Sequence, residues 1–147
     1  MNVIIIGCSR RKRPTLKPMH ALDLYQGGCV PEVRLRLGGH GDYWSKVFIL
    51  SAKHGLLRAD DFVETYDELL SMEKANALRP TVWRNIQRRV LEPYDPKEVV
   101  VLLEPLYLVL IADLLSLPSR PRVFWEPDPE LGWPRAGTIL DAWGWPA

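Results

Sequence analysis

Two short segments gather residues able to do chemistry. In the first, Gly7-Cys8-Ser9-Arg10-Arg11-Lys12-Arg13 sets a glycine, a thiol and a hydroxyl before four consecutive cations. Backbone amides and positive charge together can cradle an anion, and a solvated basic loop is the alternative. The GxxxxGK[ST] and GxGxxG spacings are absent, so this is neither a P-loop nor a dinucleotide fingerprint. Residues 1–22 carry no acidic side chain, which makes the local field positive although the whole chain is nearly neutral. In the second segment, Leu50-Ser51-Ala52-Lys53-His54-Gly55-Leu56-Leu57, a serine, a lysine and a histidine leave the core together. A lysine crowded by cations is one route to an amine that acts as nucleophile or base, and histidine shuttles protons near neutral pH. Ser51 is alternatively an ordinary turn hydroxyl, and Gly55 permits a tight turn.

Glu64-Thr65-Tyr66-Asp67-Glu68-Leu69-Leu70 adds acids around one aromatic ring. Tyr66 suits stacking on a base, and Asp67 suits an acid, base or acceptor role; a solvated acidic helix start fits equally well. Glu104-Pro105-Leu106-Tyr107 brings another carboxylate and phenol. No GxSxG elbow supports a serine hydrolase. Cys8 and Cys29 form no CxxC pair, and no carboxylate cluster suggests a two-metal nuclease, so neither metal nor cofactor is expected.

These segments need a frame that holds them together. Val3–Ile6, Val47–Leu50, Val99–Leu103 and Val123–Trp125 read as strands, nearly all apolar, as when both faces of a parallel sheet are covered. Met72, Ala75, Leu78, Val82, Ile86 and Val90 recur at helical spacing between a Ser71 cap and Pro93, with Pro80 predicting two helices or a kink near Arg79. Leu106–Leu115, begun at Pro105, and Arg135–Trp143 read as further helices. Alternating strands and helices predict a single α/β domain over 1–147: a short, mostly parallel four-stranded sheet flanked by helices in three layers. In such sheets ligands bind beyond the carboxyl ends of the strands, where both chemical segments fall.

The 147 residues are 47% hydrophobic with net charge +1, which excludes a disordered chain and a uniformly basic nucleic-acid coat. The opening apolar run is too short for a signal peptide and no stretch is long enough to span a bilayer, so a cytoplasmic protein with reduced thiols and no membrane partner is expected.

Cys8-Ser9-Arg10-Arg11-Lys12, Ala21-Leu22-Asp23-Leu24-Tyr25, Leu50–Leu57 and Tyr66-Asp67-Glu68-Leu69 occur in that order. Over about the first 70 residues the chain resembles an uncharacterised family of small bacterial and phage proteins with a CSxxK start and an LSAKxGLL centre. More distantly, the opening resembles the catalytic domain of archaeosine synthase, which modifies a 7-deazaguanine base in tRNA. The lysine of that family's CSxxKPY motif is thought to engage the base, and Lys12 falls on it. Arg13-Pro14 stands where that motif has Pro-Tyr. The resemblance implies a uracil-DNA-glycosylase-like fold, a short parallel sheet flanked by helices.

Together these readings predict an enzyme acting on a nucleobase or nucleotide, a base-modifying transferase or lyase or an N-glycosidase. Its catalytic candidates are Lys12, Lys53, His54 and Asp67. Cys8, Ser9, Arg10, Tyr25, Ser51, Gly55 and Tyr66 would contact the substrate, with Tyr25 and Tyr66 stacking on the base. The alternative is a non-catalytic nucleotide- or nucleic-acid-binding module. A third possibility gives the tail tryptophans, Trp125, Trp133, Trp143 and Trp145, to a protein partner rather than to internal packing.

Overall fold

β-Branched runs lie side by side at the centre of the chain, as a computed structural model describing residues 1–9, 12–14 and 17–147 records. β1 (Val3–Gly7) pairs in parallel with β3 (Val47–Ser51) on one side and β6 (Glu98–Leu102) on the other; β6 pairs in parallel with β7 (Arg122–Glu126). All four expected strands are present. A fifth, β4 (Gly55–Arg58), returns antiparallel along β3, so the sheet is mixed and ordered β4-β3-β1-β6-β7. The added strand is the second arm of a hairpin whose loop is Ala52-Lys53-His54 and whose Gly55 has φ +70°. A three-residue loop closed by a left-handed glycine is a standard hairpin connection.

Alternate residues of the strands enter two cores. Ile4, Ile6, Ile49 and Leu102 pack on one face against α1 (Ala21–Leu24), α2 (Val30–Leu37) and α6 (Trp133–Ala142). Val3, Ile5, Phe48 and Val101 pack on the other against α3 (Met72–Ile86) and the 3-10 turn Pro105–Ile111, which leads into α5 (Ala112–Leu115). Helices thus cover both faces of the sheet. A small ribbon of β2 (Met19–His20) and β5 (Phe62–Val63) lies apart from it.

Of the two outcomes expected at Pro80, division into two helices does not occur: one helix runs from Met72 to Ile86 with the proline inside it. Pro80 and Asn76, whose carbonyl lacks the proline's N–H, are both exposed, so water can serve that carbonyl. Pro93 does not end the helical stretch either. A π-turn over Gln87–Leu91 leads into α4 (Glu92–Tyr94), and Asp95, at φ 40°, closes it. Leu106–Leu115 is mostly 3-10 rather than α.

Three of the four tail tryptophans, Trp133, Trp143 and Trp145, pack internally, while Trp125 on β7 is 42% exposed. Trp145 is buried against Tyr43 and Trp143, and Trp143 Nε1 donates to Glu98 at 2.9 Å. Arg36 ties this segment to α2, donating to the carbonyls of Pro146, Gly137 and Trp145 and to the Asp141 carboxylate at 2.6 Å.

The π-turn aims Arg89 at Asp61, which accepts both guanidinium nitrogens at 2.8 Å and the Arg58 amide at 2.8 Å. Partial burial alone would raise the Asp61 carboxyl, but the hydrogen bonds from Arg89 and the Arg58 amide, with the charges of both arginines, together outweigh it and hold the group below 3.8. A depressed folded-state value stabilises the protein above the unfolded value, and that contribution is lost as pH falls through the folded one. Asp61→Asn is therefore expected to cost about 1 kcal/mol at neutral pH after solvent screening. In urea titrations the gap between wild type and variant should shrink as pH falls below about 5. A gap independent of pH would mean that the pair contributes nothing electrostatic.

Candidate functional site: the carboxyl edge of the sheet

In chain order the four parallel strands lie as second, first, third and fourth across the sheet, so the connections diverge between β1 and β6. That switch point is where an open α/β sheet leaves a crevice. A cavity of about 670 Å³ lies there, within the usual range for small-molecule sites. Its walls include Gly7, Cys8 and Ser9 after β1, Glu104, Leu106 and Tyr107 after β6, and residues 127–130 after β7. Gly27, Gly28 and residues 68–70 complete it.

Cys8 is set by its own amide, which donates to Leu50 O at 2.9 Å, and its Sγ lies 3.2 Å from the Tyr107 hydroxyl. Ser9 Oγ accepts the Gly27 amide at 3.0 Å and so holds the glycine pair in the wall. The charge is not what the first loop suggested. Glu68, Glu104, Asp128 and Glu130 line the cavity, and no cationic side chain among the described residues does. Glu68 is paired with Lys74. Arg10 lies outside the described residues.

Lys12 turns instead toward a second group beside β3. Its Nζ stands 4.3 Å from the centre of the Tyr66 ring and 5.8 Å from that of Tyr25. The Tyr66 hydroxyl is 2.6 Å from Ser51 Oγ and 2.6 Å from the Tyr25 hydroxyl, forming a chain of three hydroxyls. Ser51, fully buried at the end of β3, also accepts the amides of Lys53 and His54 at 3.1 and 3.0 Å. Arg34 fixes Tyr25 by donating to its carbonyl at 3.1 Å and to Leu22 O at 2.7 Å. The exposed Lys53 and His54 approach the same Tyr66 ring, Lys53 Nζ at 5.9 Å and the His54 ring edge-on at 5.2 Å.

Burial raises the phenol pKa of Tyr25, Tyr66 and Tyr107 well above 10, so all three hold their protons at neutral pH. His54 is lowered from 6.5, first by partial burial and then by the charge on Lys53, which leaves a neutral imidazole able to accept a proton. The carboxyl edge thus carries hydroxyls and a lysine cation clustered beside β3, outside the cavity walls, and carboxylate acceptors in the walls themselves.

Lys12, Lys53, His54, Ser51, Tyr25 and Tyr66 are brought together, while Cys8 and Ser9 line the cavity. Tyr25 is fully buried, so its ring is not open to a base, and it joins the cluster through its hydroxyl and its packing on Tyr66. Asp67 is exposed and lines neither this cavity nor the smaller one beside β5. Gly55 is accounted for by the hairpin turn. Of the acidic wall, Glu68 and Glu104 lay in segments the sequence singled out, while Asp128 and Glu130 were missed; the strand-end rule, applied to the fourth strand, leads directly to Pro127-Asp128. Among the described residues no group of three or more His, Cys, Asp or Glu could hold a metal ion, and no helix is long and apolar enough to cross a membrane.

Fold and cleft define an α/β protein with a mixed five-stranded sheet and a polar crevice at its switch point. The chain belongs to DUF6884, a family of unknown function, which it matches over residues 3–120. No curated protein and no solved structure matches it.

Proposed function

We propose that this chain is an enzyme acting on a nucleobase or nucleotide, by base modification or N-glycosidic bond chemistry, with the base seated between β1 and β6. The observation that carries this reading is the Lys12–Tyr66–Ser51–Tyr25 cluster at the carboxyl edge that also opens the cleft. Phenols that keep their protons, next to a fixed ammonium, stabilise negative charge developing on a departing or reacting base. His54, held neutral, is the group suited to receive a proton. The four parallel strands within the mixed sheet, with helices on both faces, support the glycosylase-like resemblance of the opening motif.

The acidic wall narrows the base. Carboxylates accept hydrogen bonds and cannot donate them, so Glu104 and its neighbours favour a base edge rich in N–H groups, such as that of guanine or adenine. Phosphate belongs on the side of Lys53. Calorimetric titration with adenine, guanine, cytosine and uracil and their 5′-monophosphates tests the reading. Saturable binding is expected for the amino-bearing bases, with uracil about tenfold weaker or worse, and Glu104→Gln should narrow that gap. Failure of every compound to bind overturns it.

A further inference from the structure

A second cavity, of about 350 Å³, lies beside the hydroxyl cluster, with Lys53, His54, Phe62 and Thr65 in its walls. Phe62 is 72% exposed, unusual for a phenylalanine in a paired strand. The His20 ring, 4.5 Å from it, props one side, and Trp44 in turn props His20 at 5.4 Å. The ring is therefore held in place but largely uncovered.

The two cavities are strung on one piece of chain. Glu64 and Thr65 line the smaller, Tyr66 carries the hydroxyl cluster, and residues 68–70 line the larger. From Thr65 to Glu68 the backbone can reach at most about 11 Å. Lys53 and His54 line the smaller cavity and face the ring of Tyr66, the residue that joins the two stretches in the chain. A cation and an uncovered aromatic in one base-sized space, with a second such space next along the chain, is the pattern of a single-strand binding track.

Resting on the reading above, we propose that the substrate base is part of a single-stranded polynucleotide, and that Phe62 stacks the nucleotide next to it. Lys53 neutralises the phosphate joining the two, and the target base lies in the larger cavity. Glu64, the one carboxylate among the described residues of the smaller cavity, accepts from an N–H of the neighbouring base. An aromatic platform of this kind tolerates any base, because every base has a π face.

The test compares dAMP with the oligonucleotides d(AA) and d(AAAA) by fluorescence or calorimetric titration. The dinucleotide should bind at least about tenfold tighter than dAMP, as one added stacking contact allows. Phe62→Leu should remove most of that gain and leave dAMP binding unchanged; Phe62→Tyr should keep it. Far-UV circular dichroism controls for folding, and because the ring is largely exposed its replacement removes little buried apolar area. If dAMP binds but d(AA) binds no better, or Phe62→Leu affects dAMP and d(AA) equally, the flanking subsite is overturned while the nucleotide reading stands. If neither dAMP nor the oligonucleotides bind, both fall.

Discussion

Lys12→Ala is expected to lower turnover by about 10²-fold or more, the usual effect of removing a charge placed against a developing anion. Its ammonium sits over the Tyr66 ring, within a cluster whose hydroxyls are already engaged with one another. Losing that contact should cost the fold only about 0.5–1 kcal/mol, so unfolding curves should barely move. Binding separates the enzyme from the alternative, a non-catalytic module. For the enzyme, ligand affinity falls little while product formation collapses. For a module, affinity for single-stranded DNA weakens uniformly and the slope of log K against log salt drops by about 1, with no reaction to lose. That second pattern overturns the catalytic assignment.

Gly55→Ala should destabilise the protein by about 2–5 kcal/mol, a left-handed penalty of about 1–2 kcal/mol plus an overpacking cost of about 1–3 kcal/mol. Gly55 closes the Lys53–His54 loop at φ +70°, and a Cβ there would stand 2.9 Å from Val82 Cγ2. Val82 is fully buried in α3, and a β-branched side chain has little freedom to turn aside. Urea unfolding should show a lower midpoint at unchanged slope. Val82→Ala in the same chain should recover the overpacking part and leave the backbone part, a coupling of about 1–3 kcal/mol in a double-mutant cycle. A loss below about 1 kcal/mol would show that the hairpin shifts freely. The same substitution moves Lys53 and His54, so activity should fall alongside stability.

The parallel strands were legible because each is an unbroken run of β-branched or aromatic residues, the pattern that burial on both faces demands. β4 was not, because Leu56-Leu57 is too short a run to separate from the turn before it, although Gly55 was itself a hairpin signal. Half of the site followed from one rule, that strands end at the crevice: Cys8, Ser9, Ser51, Lys53 and His54 all lie where β1 and β3 stop. The acidic wall did not follow. Glu68, Glu104 and the Asp128–Glu130 segment are far apart in sequence, and the strand order, with β6 and β7 on the far side of β1, brings them to one cavity. Tyr25 shows the other limit. Its residue type suggested stacking, but whether a ring faces a ligand or is buried behind its hydroxyl depends on packing that spacing does not reveal.

β1 also imposes an order on biosynthesis. It is the central strand, yet both its partners come later, β3 from residue 47 and β6 from residue 98. At ribosomal speeds of ~5–20 residues per second, the second partner follows the first strand by roughly 5–20 s. For that time Val3-Ile4-Ile5-Ile6 waits with at least one edge unpaired, a template for pairing with another chain. Arg10-Arg11-Lys12-Arg13 follow that run closely in sequence, so every nascent copy carries like charge next to its apolar segment, the flanking pattern that disfavours pairing between chains.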